Sequence, residues 1–205
     1  MTTQVALKLK PEKHAKPVRT FTLLEYLKKE EQSIEKHEYY NGKIIPLPGS
    51  KPTHNKIAAN LIGALKYKLR GLPNKYEVYT GDQKIYIDES KSVLYPDALV
   101  ICEEPEYWQG VEDMIINPLV IIEVLSKSTS NYDRNGKFMI YQNLESFREY
   151  VLVEQTRPEV ELWYKIEKNT WQKTVCTDID AAIELRSLNI SILLSEIYEY
   201  VKFSE

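Results

Sequence analysis

The chain of 205 residues has few of the residues that build zinc sites, disulfides and redox centres. It contains only two cysteines, Cys102 and Cys176, and three histidines, His14, His37 and His54. Neither set has the short spacing of a metal-binding motif, and two distant cysteines make no disulfide framework. Both cysteines lie in apolar runs, so we expect them to be small core residues. The pattern excludes a zinc-finger or disulfide-stapled fold.

Long hydrophobic runs and a strong charge of one sign are also missing. No apolar stretch reaches the roughly 20 residues that span a bilayer. The lysines near the N-terminus are not followed by the apolar segment of a secretory signal. A formal net charge of −3 argues against a surface that is basic throughout, although a local basic cleft remains compatible with it. We therefore predict a cytoplasmic protein that does not enter the membrane.

The remaining composition is that of one globular domain. Hydrophobic residues make up 43% and charged residues 28% of the chain, and this length can bury a sizeable core. Residues 1–20 are polar and contain lysines and prolines, which predicts a mobile N-terminal arm. We expect residues 21–205 to form a single domain.

Hydrophobic periodicity and turn residues predict alternating helices and strands. A helix is expected from the capping box at Thr22 to about residue 31, and a β-hairpin is expected around Asn41-Gly42. The later predictions are a helix at 54–70, strands at 76–80, 84–87, 93–102 and 119–125, a helix at about 131–144, a hairpin of 148–154 with 160–166, a strand at 171–176 and a final helix at 191–201. This order predicts a mixed α/β fold in one domain.

The strand at 119–125 contains an unexpected charge. Its aliphatic run is typical of a strand covered on both faces, yet Glu123 lies in the middle. A buried carboxylate is costly unless a cation or hydrogen bonds compensate for it. A second acid, Asp97, lies in another strand-like run at 95–101, and two acids on neighbouring buried strands repel each other. A divalent metal ion between them would relieve both costs, and hard oxygen ligands favour Mg²⁺ or Mn²⁺.

The helix that follows this strand carries a candidate catalytic cation. Asp133, Lys137 and Tyr141 are spaced by four residues and share one helix face. Because the helix directly follows the strand, Lys137 can point towards Glu123. An ammonium group beside two acids and a metal ion can orient water or neutralise charge on phosphorus during phosphodiester hydrolysis.

These residues carry a resemblance to a known family. Tyr95-Pro96-Asp97 followed by Ile122-Glu123-Val124-Leu125-Ser126 resembles the PD-(D/E)XK nuclease superfamily and, more narrowly, the Uma family of restriction endonucleases, which is abundant in cyanobacteria. Further pieces in the same order are Glu38 to Gly42, His54, Thr129, Asp133, Lys137, Tyr141 and Glu149-Tyr150. Together they cover roughly residues 20–165.

The resemblance implies both a fold and an activity. The implied fold is a restriction-endonuclease-like core of helix, three strands, helix and strand, with an added N-terminal hairpin and a C-terminal hairpin and helix. The implied activity is metal-dependent DNA cleavage, with Asp97, Glu123 and Lys137 as catalytic residues. Asp97 and Glu123 would hold Mg²⁺ or Mn²⁺, and a homodimer is expected because two strands need two cuts.

One departure from the superfamily pattern concerns the lysine. The position two residues after Glu123 is occupied by Leu125, and the family resemblance implies that Lys137 replaces the missing lysine. The helix at 54–70 also lacks the acid that the superfamily often has there, so Glu38 is a candidate substitute. His54 is a candidate contact for phosphate or substrate.

Simpler interpretations of the same residues stay open. Asp97 could be a turn residue, and Glu123 could form a structural salt bridge with Lys137. Asp133 could interact with the helix dipole, and Tyr141 could serve packing alone. The functional alternatives are a catalytically inactive nuclease-fold module that binds nucleic acid or protein, and a purely structural protein.

Overall fold

The structure is a computed structural model that describes residues 19–203; the predicted N-terminal arm lies almost wholly outside this range. The α-helices are α1 (Leu23–Gln32), α2 (Pro52–Leu69), α3 (Phe138–Tyr141), preceded by a π-helical turn (Tyr132–Lys137), and α4 (Leu194–Ile197). The strands are β1 (His37–Tyr40), β2 (Lys43–Pro46), β3 (Tyr76–Thr80), β4 (Lys84–Ile87), β5 (Ser92–Leu94), β6 (Ala98–Cys102), β7 (Met114–Ile115), β8 (Val120–Leu125), β9 (Glu149–Glu154), β10 (Val160–Glu167), β11 (Thr170–Cys176), β12 (Ala182–Leu185) and β13 (Ile190–Leu193).

A mixed sheet of six strands forms the centre of the molecule. Its order is β11-β10-β9-β8-β6-β3, with β8 and β9 parallel and the other neighbours antiparallel. Helix α2 packs on one face, where Ile57 and Leu61 join the core with Ile122. Phe138 and Tyr141 belong to the core on the other face. Strand β8 is therefore covered on both sides, as its aliphatic run predicted.

A second sheet stands beside the central one. Its order is β2-β1-β5-β4-β7, and its small core contains Tyr26, Tyr39, Tyr86 and Val93. The capping box predicted at the start of α1 is confirmed, because Thr22 Oγ1 accepts from the backbone N–H of Glu25 at 3.2 Å. The mixed α/β fold is likewise confirmed. None of the described helices is long and apolar enough to cross a membrane.

The hairpin predicted at Asn41-Gly42 is confirmed as the connection of β1 to β2. Both residues have positive φ, 44° and 83°, as a two-residue type I′ turn requires. A β-carbon at Gly42 would also lie 3.1 Å from the Cβ of Thr20.

We expect Gly42→Ala to lower the free energy of unfolding by about 1–2 kcal/mol, because an L-residue is strained in the left-handed region. Gly63→Ala is a matched control, since a β-carbon there meets nothing within 4 Å and the residue lies inside α2. That change should stabilise by about 0.5–1 kcal/mol. Urea unfolding curves measure both values, and equal effects of the two changes would contradict the prediction.

The strand predicted at 93–102 is divided between the two sheets. Its first part lies in β5 of the second sheet, which ends at Leu94, and its last part is β6 of the central sheet, which begins at Ala98. Proline has no N–H to donate and restricts the residue before it, so pairing stops there. The chain consequently crosses from one sheet to the other at Asp97.

The helix predicted at 191–201 is wrong. Ile190 to Leu193 form β13, which pairs with β12 in a two-stranded sheet, and only the four residues of α4 are helical. Ile192 and Leu194 are both buried against the central core, so the alternation of a strand outweighed the helical spacing. The prediction for 131–144 also changes, because a π-helical turn precedes a short α3.

Candidate active site

The two predicted acids lie next to each other at the end of the β6–β8 pairing. Ala98, the first residue of β6, pairs with Ile122, so Asp97 just before β6 and Glu123 just after Ile122 are adjacent. The backbone N–H of Asp97 donates to the carbonyl of Ile122 at 3.1 Å, and the N–H of Val124 donates to Asp97 Oδ2 at 2.6 Å. Hydrogen bonds of Asp97 therefore flank Glu123 on both sides.

Lys137 lies at the centre of a buried group of carboxylates, which we call the lysine cluster: Lys137, Glu38, Glu123 and Asp133. Its Nζ is 3.0 Å from Glu38 Oε1, 3.0 Å from Glu123 Oε1 and 3.6 Å from Asp133 Oδ1. The lysine is 4% exposed, and all three acids are buried as well. The structure thus brings residues from two sheets and one helical segment to a single ammonium group.

The predicted helix face explains how Lys137 reaches the strand. Asp133, Lys137 and Tyr141 are all buried on the side of the helical segment that faces the central sheet. Tyr141 donates its hydroxyl to Glu123 Oε1 at 3.1 Å. The first two residues lie in the π-helical turn, a rare form that is frequent at functional sites. Tyr141 is therefore a hydrogen-bond partner of Glu123 as well as a packing residue.

Burial and charge shift the protonation equilibria of the lysine cluster. Burial raises the pKa of Glu123 well above its ordinary value, although the charge of Lys137 opposes this. Burial also raises the pKa of Asp133. Burial alone would lower the pKa of Lys137, but the charges of Glu123 and Glu38 outweigh it and hold the pKa well above its usual range. The ammonium form is therefore strongly favoured.

The carboxylate oxygens of Asp97 and Glu123, together with the negative charge around them, suit a hard divalent cation. Three carboxylates surround one ammonium, so the lysine cluster holds two negative charges in excess when all three acids are ionised. Hydrogen bonds from described residues reach Glu123 only at Oε1 and Asp97 only at Oδ2, which leaves Glu123 Oε2 and Asp97 Oδ1 free of them. The side chain of Asp97 is 24% exposed and accessible from solvent. Such oxygens are the ligands that Mg²⁺ prefers.

Asp97 and Glu123 offer such a cation only two side-chain ligands. Within residues 19–203, no three His, Cys, Asp or Glu side chains are arranged around one common point as metal ligands. A cation held by Asp97 and Glu123 would complete its coordination with backbone carbonyls, water and substrate oxygens, as Mg²⁺ commonly does.

His54 lies against Asp97. Its Nε2 is 3.1 Å from Asp97 Oδ2, and its Nδ1 is buried without a hydrogen-bond partner among the described residues. Burial lowers the pKa of His54, but the hydrogen bond and charge of Asp97 outweigh this and raise it above its ordinary value. His54, the candidate contact for substrate, therefore orients Asp97 in this structure.

Glu30 was not anticipated from the sequence, and Tyr95 entered only as part of the Tyr95-Pro96-Asp97 motif, without a role in the site. The backbone N–H of Tyr95 donates to Glu38 Oε1 at 3.2 Å, and its carbonyl accepts from Lys137 at 3.3 Å. Its hydroxyl donates to Glu30 Oε1 at 3.0 Å. Tyr95 therefore links α1 to the lysine cluster. The only local signal was its position before Pro96, where the chain leaves the strand.

Two basic residues of α2 contact the C-terminal segment of the chain. Lys56 donates to the carbonyl of Tyr200 at 2.8 Å, and Lys68 is 3.2 Å from Glu196. These two lysines hold the C-terminal segment against the helix.

Glu149, part of the predicted motif order, lies outside the lysine cluster and accepts hydrogen bonds from the backbone of Arg186 and Ser187.

The sequence also matches a known family over most of its length. The profile of the Uma2 family, described as "Putative restriction endonuclease", matches residues 23–195. The chain belongs to this family. Two uncharacterized proteins of Synechocystis sp. are similar to this Uma2 protein. Protein sll1609 is 36% identical over 84% of this chain and 96% of its own length, and slr1290 is 32% identical over 87% and 92%.

A solved structure shares the fold of this Uma2 protein. The crystal structure of a "putative nuclease belonging to DUF820" from Anabaena variabilis superposes with a TM-score of 0.73. The similarity covers 89% of this chain and 99% of that one at 16% sequence identity. The nuclease-like fold expected from the motif order is therefore confirmed.

Proposed function

We propose that this Uma2 protein is a Mg²⁺- or Mn²⁺-dependent endonuclease that hydrolyses phosphodiester bonds in DNA. The observation that carries the proposal is the convergence of Asp97, Glu123 and Lys137: Asp97 accepts from the backbone N–H of Val124, next to Glu123, and the lysine lies 3.0 Å from Glu123. Membership in a restriction-endonuclease family supports DNA as the substrate.

Each residue has a distinct role in this proposal. Asp97 and Glu123 would hold the cation, and the backbone carbonyl of Val124 or Leu125 would be a further ligand. When bound, the metal ion lowers the pKa of coordinated water and polarises a phosphoryl oxygen. The ammonium of Lys137 has three N–H donors, and Glu38, Glu123 and the carbonyl of Tyr95 accept from it. Lys137 would exchange one of these partners for water or a phosphate oxygen, whose developing charge it then stabilises.

Calorimetric titration and a plasmid-cleavage assay test the proposal together. The natural chain should bind Mn²⁺ and cut DNA in its presence, whereas Asp97→Ala should lose both the binding heat and the cleavage. Asp178→Ala is a matched control, because this acid lies in the turn before β12, and it should behave as the natural chain does. Cleavage by Asp97→Ala at the natural rate would contradict the assignment.

A non-catalytic role is the second candidate. It is favoured by Leu125 at the motif position of the lysine and by the occupied state of Lys137, whose partners form a self-contained ion cluster. Such a module would bind nucleic acid or protein without turnover. DNA binding that needs no metal, with no cleavage under any divalent cation, would favour this function over the endonuclease.

We further propose that the endonuclease acts as a homodimer in the cytoplasm. Cleavage of both strands of a duplex needs two cuts, and a pair of identical chains supplies one active site for each. Light scattering of the purified chain, alone and with duplex DNA, measures the mass. A monomeric mass in both samples would contradict the dimer.

A further inference from the structure

The π-helical turn that carries Lys137 contains a glycine, the least favourable helix residue after proline. The structure gives a reason for Gly136 at this place. A β-carbon there would lie 2.5 Å from Cδ2 and 2.7 Å from Cε2 of the Tyr132 ring. Both distances are far below the roughly 3.5 Å at which two carbon atoms make favourable contact. Only glycine therefore fits while the ring keeps its position.

The ring of Tyr132 is held by packing. Its hydroxyl group is excluded from solvent and makes no hydrogen bond with any described residue, so no polar contact fixes the direction of the side chain. Because the tip of the ring is enclosed, the ring cannot move outward without opening this packing. The ring and the backbone of Gly136 thus fit against each other as a pair.

The same turn carries two members of the lysine cluster. Tyr132 and Gly136 each come one residue before one of them, Asp133 and Lys137, and the two pairs have the same spacing of four residues. Lys137 Nζ lies 3.6 Å from Asp133 Oδ1. A change in the backbone that alters the separation of the first pair therefore alters that of the second pair as well.

The helical segment is fixed to the central sheet on both sides of Lys137. Before it, the hydroxyl of Tyr150 donates to the carbonyl of Asp133 at 2.9 Å. After it, the hydroxyl of Tyr141 donates to Glu123 at 3.1 Å. Because both of these points are held, the form of the backbone between them decides where the lysine side chain lies.

Hydrogen bonds with α-helical spacing flank the turn. The N–H of Asp133 donates to the carbonyl of Thr129 at 2.9 Å, and the N–H of Gln142 donates to that of Phe138 at 3.0 Å. A π-helical turn closes its hydrogen bonds over five residues, so it rotates less per residue than an α-helix does. Conversion of the turn to an α-helix would rotate Lys137 about the helix axis, away from its present partners.

We propose that the fit of the Tyr132 ring against Gly136 holds the turn in its π-helical form and thereby places the ammonium group of Lys137 against Glu123. The two residues are positioning residues, which act through the lysine. Their effect on cleavage rests on the proposed nuclease function, whereas their effect on the lysine cluster does not. A displacement of about 1 Å in an active site can lower the rate about 10²-fold, so such positioning has a large effect.

Cleavage of supercoiled plasmid at saturating Mn²⁺ tests the effect on chemistry. Gly136→Ala and Tyr132→Ala should each lower the rate by about 10²-fold, and the double variant by about the same factor, because both changes break one contact. Tyr132→Phe keeps the ring and should recover the rate that Tyr132→Ala loses. Calorimetry should show that all of these variants still bind Mn²⁺, since Asp97 and Glu123 lie outside the turn.

Gly63→Ala is the matched control for the glycine. Gly63 also lies inside a helix, but a β-carbon there meets nothing within 4 Å, so the rate should stay natural. Natural rates in Gly136→Ala and Tyr132→Ala, or losses that multiply in the double variant, would overturn the proposal. If Gly136→Ala does not fold, Tyr132→Ala decides: a lower rate with Mn²⁺ still bound supports the proposal, and a natural rate overturns it.

Urea unfolding separates the positioning role from the nuclease function. Lys137→Met should shift the unfolding midpoint in the Gly136→Ala or Tyr132→Ala background by less than about half of its shift in the natural chain, because the lysine has already left its partners. An equal shift in every background would overturn the positioning role, even if the natural chain cuts DNA. A reduced shift in a protein that cuts no DNA would retain the positioning role and remove the nuclease.

Discussion

Replacement of Lys137 by methionine should lower the free energy of unfolding by about 3–5 kcal/mol, because it leaves buried carboxylates without their cation. Glu38 and Glu123 both lose a partner at 3.0 Å, and neither has solvent to replace it. Methionine keeps much of the length of the side chain, so loss of packing contributes little. Urea unfolding at neutral pH measures the difference.

A triple variant provides the control for this prediction. Glu38→Gln and Glu123→Gln, combined with Lys137→Met, remove the two carboxylate charges nearest to Lys137 and leave only that of Asp133 in the cluster, so they should recover a large part of the lost stability. This follows because breaking a buried ion pair costs far more than replacing all of its members. If Lys137→Met unfolds at the same urea concentration as the natural chain, the lysine cluster makes no net contribution to stability.

Glu123→Gln should reduce DNA cleavage by at least about 10²-fold, which is the scale seen when one preorganised electrostatic group is removed from an active site. Glutamine keeps the shape of the side chain and can still accept from Tyr141, but it lacks the charge that a metal ion and Lys137 require. Initial rates on supercoiled plasmid with saturating Mn²⁺ measure the effect.

Glu149→Gln is the matched control for that experiment. Glu149 is also a buried glutamate on a central strand, but its carboxylate accepts from Arg186 and Ser187 rather than from Lys137. The change should lower stability and leave the cleavage rate of the folded protein close to natural. Equal losses of activity in the two variants would show that the effect of Glu123→Gln is structural.

Local patterns in the chain were sufficient for most of the elements. Thr22, Asn41 and Gly42 act through hydrogen bonds and backbone angles within a few residues, so their capping box and turn can be predicted without tertiary information. The aliphatic run around Glu123 likewise predicted a strand buried on both faces. The prediction of a final helix was wrong because the spacing of the apolar residues near Ile192 fits both the helical and the strand period over so short a segment.

The site was predictable where its residues share one element. Asp133, Lys137 and Tyr141 are related by helical spacing alone, and their common face was evident from the sequence. The family resemblance supplied the order of Asp97, Glu123 and Lys137. The hydrogen bonds of these residues, however, depend on how separate elements pack.

Tertiary packing decided the partners of each charged group. Glu38 reaches Lys137 from another sheet, His54 reaches Asp97 from α2, and Tyr95 joins both sheets at Pro96. Periodicity reports which face of an element is buried, but it carries no information about which distant face lies opposite. An ion pair between residues far apart in the chain forms only when the sheets and helices have packed, and burial then makes the pairing energetically necessary.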